Sequence, residues 1–243
     1  ISLIISLIFI RKRGFSFKFN KSYIRIDKYS VGRILKVGSP LALQDALVNI
    51  SFLLITVIVN GMGLVASASV GVVEKIIIFA MLPPTAFASA VATMTAQNMG
   101  ANKPERAVKS LKYGIGYSLI FGIVVCIYCQ FLPHTITGIF TKDTEVIASA
   151  AMYLKSYSFD CMLVAFIFCM NSYFSGCGRS MIAFIHSMIA TFGVRIPMSY
   201  FISKTANVSL YKMGLASPIA SFISVAICLG YFMWLKKQTE NSN

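Results

Sequence analysis

VGSPLALQDALVNISFLLITVIVNGMG, residues 37–63, is the stretch that sets the architecture. Between Val37 and Val59 it carries one ionisable side chain, Asp45, and it closes on Asn60-Gly61-Met62-Gly63, small and polar residues that make turns. An apolar run of about 20 residues forms a helix as long as the ~30 Å hydrocarbon core of a bilayer is thick. The stretch therefore predicts a transmembrane helix, opened by Gly38-Ser39-Pro40.

Reading outward, the same pattern recurs. A second span runs from Leu64 to Asn98 and contains Pro83-Pro84; at about 35 residues it is too long for one straight crossing, so the double proline is expected to bend it or end its regular hydrogen bonding. Further spans run from Tyr113 to Leu132, from about Ile147 to Phe174, from Met181 to Ile202 with Arg195-Ile196-Pro197 inside it, and from Leu210 to Trp234. Residues His134 to Glu145 read as a connection, and Gly176-Cys177-Gly178-Arg179 as a tight reversal. Upstream, Ile1 to Ile10 is apolar and stops at Arg11-Lys12-Arg13. A signal peptide carries its charges before the apolar run, so this segment reads as the end of a truncated helix. The expected organisation is a helix end and cytoplasmic basic loop (1–30), a six-helix lobe (31–235) and a cytoplasmic tail (236–243).

Composition agrees. Of 243 residues 57% are hydrophobic and 12% charged, about half the charged fraction of a soluble domain. The net charge of +14 could suggest nucleic acid, but no basic stripe interleaved with aromatics accompanies it. Topology explains it better. Of the 22 Lys and Arg, 16 fall on one side of a six-span arrangement: nine between Arg11 and Lys36, four between Lys103 and Lys112, then Arg179, Lys236 and Lys237. Cytoplasmic loops carry the Lys and Arg, which places loop 11–36 and the C-terminus in the cytoplasm of a multi-pass protein of a bacterial plasma (inner) membrane. The six cysteines lie almost wholly within apolar runs, and the Cys126/Cys129 pair lacks a second ligand pair, so neither a disulfide framework nor a zinc site is expected.

Ionisable groups inside spans are costly and mark cavities or ion paths. Here they are Asp45, Glu74 beside Lys75, Asp160 and Arg195. At 100° per residue, Asp45, Asn49, Thr56 and Asn60 fall within about 60° of one another on the first span, and Tyr153, Ser156, Tyr157, Asp160, Asn171 and Ser175 share about 100° on the fourth. Two carboxylates among amides and hydroxyls suit Na⁺, a proton or an organic cation. The candidate cation- or substrate-binding residues are Gln44, Asp45, Asn49, Tyr157, Asp160 and Asn171, with Na⁺ at Asp45 or Asp160. Glu74, Pro83, Pro84 and Arg195 are assigned structural or gating roles. His186 reads as a satisfied histidine on the face opposite Arg195, and Ser217, Ser221 and Ser224 as a close-packing stripe.

The segments Gly38-Ser39-Pro40-Leu41-Ala42-Leu43-Gln44, Pro83-Pro84, Ala96-Gln97-Asn98-Met99-Gly100-Ala101 with Glu105-Arg106-Ala107, Gly176-Cys177-Gly178-Arg179-Ser180 and Arg195-Ile196-Pro197 together resemble the multidrug and toxic compound extrusion (MATE) family, over the second of its two six-helix lobes. The resemblance implies an antiporter that exports amphipathic, often cationic compounds against Na⁺ or H⁺ by alternating access, with an N-terminal lobe as partner and no cofactor beyond the coupling ion. Some members place acidic residues on the first and fourth helices of this lobe. Aligned on Gly38-Ser39-Pro40 the first such position falls on Val48, three residues after Asp45; aligned back from Gly176 the second falls near Val164, one turn after Asp160. Two alternatives stand beside this reading. One is a lipid-linked sugar flippase of the same superfamily; the other is an intramembrane enzyme using Asp45 and Asp160 as an acid-base pair, although neither an HExxH nor a nucleophile-elbow motif is present.

Overall fold

A computed structural model of the chain describes residues 5, 8–10, 27–205 and 209–240. It divides into two units, Ile1–Lys36 and Val37–Asn243. In the first, Ile5 and residues 8–10 are helical, and the Asp27 carboxylate accepts hydrogen bonds from the Ser30 backbone N–H at 2.8 Å and the Ser30 hydroxyl at 2.7 Å. These bonds cap the helix that starts at Lys28. The expected basic loop lies outside the described residues from Arg11 to Ile26, as do residues 1–4, 6–7 and 241–243.

The helices are α1 (Lys28–Asn60), α2 (Leu64–Gly100), α3 (Pro104–Phe131), the short α4 (Pro133–Thr137), α5 (Thr144–Gly176), α6 (Ser180–Ala190), α7 (Ile196–Ser203), the short α8 (Leu210–Gly214) and α9 (Ala216–Glu240). A π-helical turn, Thr191–Arg195, joins α6 to α7. Six stretches are long and apolar enough to cross a membrane: Lys28–Asn60, Leu64–Gly100, Pro104–Phe131, Thr144–Gly176, Ser180–Ser203 and Leu210–Gln238. The described residues contain no strand. The expected all-α membrane fold is the one observed.

Boundaries differ in instructive ways. Gly38-Ser39-Pro40 does not open α1; the helix passes through it with Pro40 buried. Nor does Pro83-Pro84 end α2, which runs through both prolines for 37 residues. Each proline removes one N–H donor, leaving the carbonyls of Phe79 and Ala80 without their i+4 partners, while every other bond of the helix can persist. The break comes instead in the fifth span. Pro197 cannot donate to Gly193, and the ladder widens so that the Ile196 N–H bonds the Thr191 carbonyl five residues back. The connection after Pro133 holds a helical turn, and Asp143 caps α5 by accepting from the backbone N–H groups of Glu145 at 2.9 Å and Val146 at 3.2 Å.

Helix α5 is the axis, packing against α2, α3, α8 and α9. Toward its N-terminal half Tyr153, Leu154 and Tyr157 join Ile55, Val59, Val73 and Met213 in one apolar core. Toward its C-terminal end Cys169, Met170 and Phe174 join Val91, Leu111 and Cys228 in another. Close approach makes these contacts possible: a Cβ at Gly122 of α3 would stand 2.7 Å from the Cys161 carbonyl oxygen and 3.1 Å from Met162 Cα. Gly178, at φ +74°, supplies the left-handed residue that reverses the chain after α5.

A side chain at Gly122 meets backbone that cannot rotate aside. Gly122→Val is expected to cost about 1–3 kcal/mol, a depression of several degrees in Tm in detergent. Gly116→Val, where nothing lies within 4 Å, carries the same change in helix propensity and should melt near wild type. Equal melting of the two variants would contradict the packing described.

Candidate functional site

Beside the first of these cores, sharing Ile77 and Tyr157 with it, lies a cavity of about 390 Å³. Helix α1 contributes Gln44, Val48 and Phe52, one side chain per turn, and α2 contributes Ile77, Met81 and Leu82 among others. From α5 come Tyr157, Asp160, Val164, Phe168 and Asn171; from α6 and the π-turn, Ser187, Thr191 and Arg195; from α9, Ser217, Ser221 and Ser224. The wall is mostly apolar, with a few polar groups converging on it, as in pockets that bind organic molecules.

Several of those polar groups are left wanting. Gln44 donates through Nε2 to the Ser187 hydroxyl at 2.7 Å, but its Oε1 is buried without a partner. Asp160 is 4% exposed. Ser221 and Tyr157 stand near its carboxyl group, and Oδ1 has no partner. Arg195 lies within electrostatic range of Asp160 without pairing to it, and its Nε is likewise buried and unbonded. The Arg195 guanidinium instead sits 4.3 Å from the centroid of the Phe52 ring, a cation–π contact that ties α1 to the π-turn. Buried polar atoms in folded proteins almost always have partners. Two unpaired acceptors and one unpaired donor on the walls of one cavity are a place where a ligand would complete the hydrogen bonding.

Behind this wall lies a second polar group. His186, fully buried, is 2.6 Å from the Asn171 side-chain amide oxygen through Nε2 and 2.6 Å from the Ser224 hydroxyl through Nδ1. The Asn171 oxygen only accepts, so Nε2 carries the hydrogen, and in the neutral ring Nδ1 accepts from Ser224. The arrangement commits the Asn171 oxygen to the histidine and leaves its amide donors for the cavity.

Of the residues singled out in the sequence, Gln44, Tyr157, Asp160, Asn171 and Arg195 line this cavity. Asp45 and Asn49 do not: both are exposed, and the Asn49 amide donates to the Asp45 backbone carbonyl at 2.8 Å. Gln44 and Asp45 are neighbours and so point about 100° apart, and the helix turns Gln44 inward. The polar sector of α5 is also divided, because Tyr153 and Ser156 are buried in packing, with the Ser156 hydroxyl bonded to the Tyr153 carbonyl at 3.0 Å. Glu74 is half-buried within electrostatic range of Arg195, and Lys75 is exposed. Pro83 and Pro84 fall between the lining residues Leu82 and Thr85 without lining it themselves. The α9 serines, expected only to let helices approach, all reach the cavity; their spacing was visible in the sequence, and their role required knowing that Asp160 lies opposite Ser221. Among the described residues no three His, Cys, Asp or Glu side chains cluster as a metal site, and all six cysteines are free.

Comparison with known proteins bears on these features. The profile of the MatE family matches residues 40–201. The probable multidrug resistance protein YoeA of Bacillus subtilis is 25% identical over 242 residues, covering 98% of this chain and 52% of that protein. The multidrug export protein MepA of Staphylococcus saprophyticus is 26% identical over 63% of this chain and 34% of its own length. The chain thus spans about half the length of YoeA, and its match to MepA covers about a third of that protein. An outward-facing multidrug resistance MATE family transporter of the MOP superfamily superposes with a TM-score of 0.86, over 99% of this chain and 53% of that one, at 16% identity. At that identity the likeness is one of fold, here the fold of about half a transporter. With a family profile matched over most of its length and a six-helix lobe that superposes on half of a solved member, the chain belongs to the MatE family of multidrug and toxic compound extrusion proteins.

Proposed function

We propose that the chain forms one lobe of a cation-coupled antiporter that exports small amphipathic, often cationic compounds by alternating access. The unpaired Asp160 Oδ1 in the apolar cavity carries this reading. A cationic compound would place its charge on that oxygen and its apolar body against Val48, Val164 and Phe168. Na⁺ or H⁺ would take the same oxygen in the substrate's absence, which couples the two fluxes because one carboxylate serves one cation at a time. The multidrug names of the bacterial relatives agree with such a substrate class.

The exposed Asp45 supports the two-lobed arrangement. A carboxylate turned to lipid within a span is costly, whereas a second six-helix lobe across from α1 would cover Asp45 and Asn49 or keep them in water. The flippase alternative calls for a strongly basic cavity suited to an anionic cargo, and Arg195 is the single cationic side chain among the residues lining this one.

The lobe is oriented with the α2–α3 turn, the α5–α6 turn and the end of α9 in the cytoplasm, where Lys103, Arg106, Arg179, Lys236 and Lys237 cluster. In a background lacking the six native cysteines, a cysteine at Asn102 should react with an impermeant reagent only from the cytoplasmic side, and one at Thr144 only from outside. Reaction at Asn102 from outside would invert the arrangement.

Asp160→Asn keeps shape and hydrogen bonding and removes the charge. In vesicles with separately imposed Na⁺ and H⁺ gradients it should reduce coupled efflux at least about tenfold while melting within a few degrees of wild type, since one lost charge-assisted contact is worth about 1.5–3 kcal/mol. Wild-type efflux with unchanged ion dependence would show that Asp160 is structural.

A further inference from the structure

A second concavity, of about 350 Å³, lies between the C-terminal half of α2 and the N-terminal half of α3. Its walls are chemically unlike those of the cavity around Asp160. Arg106 and Lys109, both exposed, stand at one end with Asn98, and no lining residue is acidic. Apart from Ser110, whose hydroxyl is bonded to the Arg106 backbone carbonyl, the rest is apolar and aromatic, chiefly Phe87, Val91, Met94 and Tyr117. Phe87 and Tyr117 stack at 6.0 Å and close the far end. From Arg106 to Tyr117 the wall follows eleven residues of helix, about 16 Å, close to half of the ~30 Å hydrocarbon core.

Its direction is also defined. At 100° per residue, the α2 residues that line this groove and those that line the Asp160 cavity point roughly 150° apart. The groove therefore opens away from the cavity, beside a face of α3 on which Tyr113 (67% exposed), Tyr117 (57%) and Val124 (59%) are bare. Apolar side chains left bare on a membrane-spanning helix meet acyl chains, and two cations at the head of a one-leaflet-deep apolar slot meet a negative headgroup.

We propose that this groove is a binding site for an anionic phospholipid of the cytoplasmic leaflet, its phosphate held by Arg106 and Lys109 and one acyl chain laid along Met94, Val91 and Phe87 toward Tyr117. Charge complementarity fixes the choice of lipid, because a zwitterionic headgroup brings a cation of its own toward the same two side chains. The placement in the cytoplasmic leaflet rests on the orientation proposed above. The binding itself is independent of transport, so it can fail while coupled efflux persists, and the reverse.

The test is lipid retention by the purified, detergent-solubilised protein, counted by native mass spectrometry with dioleoylphosphatidylglycerol or dioleoylphosphatidylcholine added. Wild type should retain the phosphatidylglycerol with about tenfold preference. R106Q/K109Q should abolish that preference, while R106K/K109R and the distant K142Q keep it. Ala90→Trp fills the slot and leaves both charges in place, so it should lower phosphatidylglycerol retention even if the double glutamine variant does not fold. The proposal is overturned by equal retention of the two lipids in wild type, by a preference that survives R106Q/K109Q, by unchanged retention in Ala90→Trp, or by displacement of the lipid with inorganic phosphate, which would make the site one for the free anion.

Discussion

A carboxyl group buried in the middle of a membrane-spanning bundle has to be satisfied by something, and most of this structure is arranged around one such group. Asp160 sits on the axial helix between two apolar cores that hold α5 against α2, α3, α8 and α9. The cores keep α5 in register, so the carboxyl stays where hydrocarbon would exclude it. Ser221 and Tyr157 stand near it, and its Oδ1 is buried without a hydrogen-bond partner beside the cavity that Asp160 lines. A bundle built only for stability would gain by replacing such a group with an apolar one, or by pairing it fully with Arg195. Here Arg195 is held under Phe52 by the π-turn, at electrostatic range but out of direct contact.

The π-turn ends on Arg195, which lines the same wall. On a regular helix Ser187, Thr191 and Arg195, each four residues from the next, would fall within about 80° of one another, and the wider turn keeps all three on the cavity. The missing donor at Pro197 is the local cause of the widened turn. Behind it, the His186 bridge between Asn171 and Ser224 fixes two more lining side chains, so the polar wall is set by packing and hydrogen bonds before any ligand arrives.

Much of this was legible in the residues, for a reason that also explains where legibility stopped. Length and apolarity fix the number of spans, because a helix that crosses lipid cannot be much shorter than the hydrocarbon is thick. They do not fix which side of a helix faces inward. In water an apolar stripe marks the core, but in lipid both sides are apolar and the phase must be read from a few polar side chains. On α5 those side chains cluster, and Tyr157, Asp160 and Asn171 do reach the cavity. On α1 the stripe through Asp45 and Asn49 is just as plain, yet the helix presents its neighbours Gln44, Val48 and Phe52. The α9 serines show the converse: their spacing was visible, and only the position of Asp160 opposite Ser221 distinguishes a cavity wall from a packing seam. Proline positions were equally plain but not their effects, since Pro83-Pro84 is carried within α2 whereas Pro197 widens the fifth span.

The proposed antiport rests on one carboxylate, on Asp160, that serves both the exported cation and the coupling ion. It is tested most directly at equilibrium, by measuring how tightly a labelled lipophilic cation such as tetraphenylphosphonium binds the purified protein as Na⁺ and H⁺ are varied separately. At least one of the two ions should weaken cation binding competitively in the wild type, and this competition should be absent in Asp160→Asn. Competition that is unchanged in Asp160→Asn, or a cation affinity indifferent to both ions in the wild type, would contradict it.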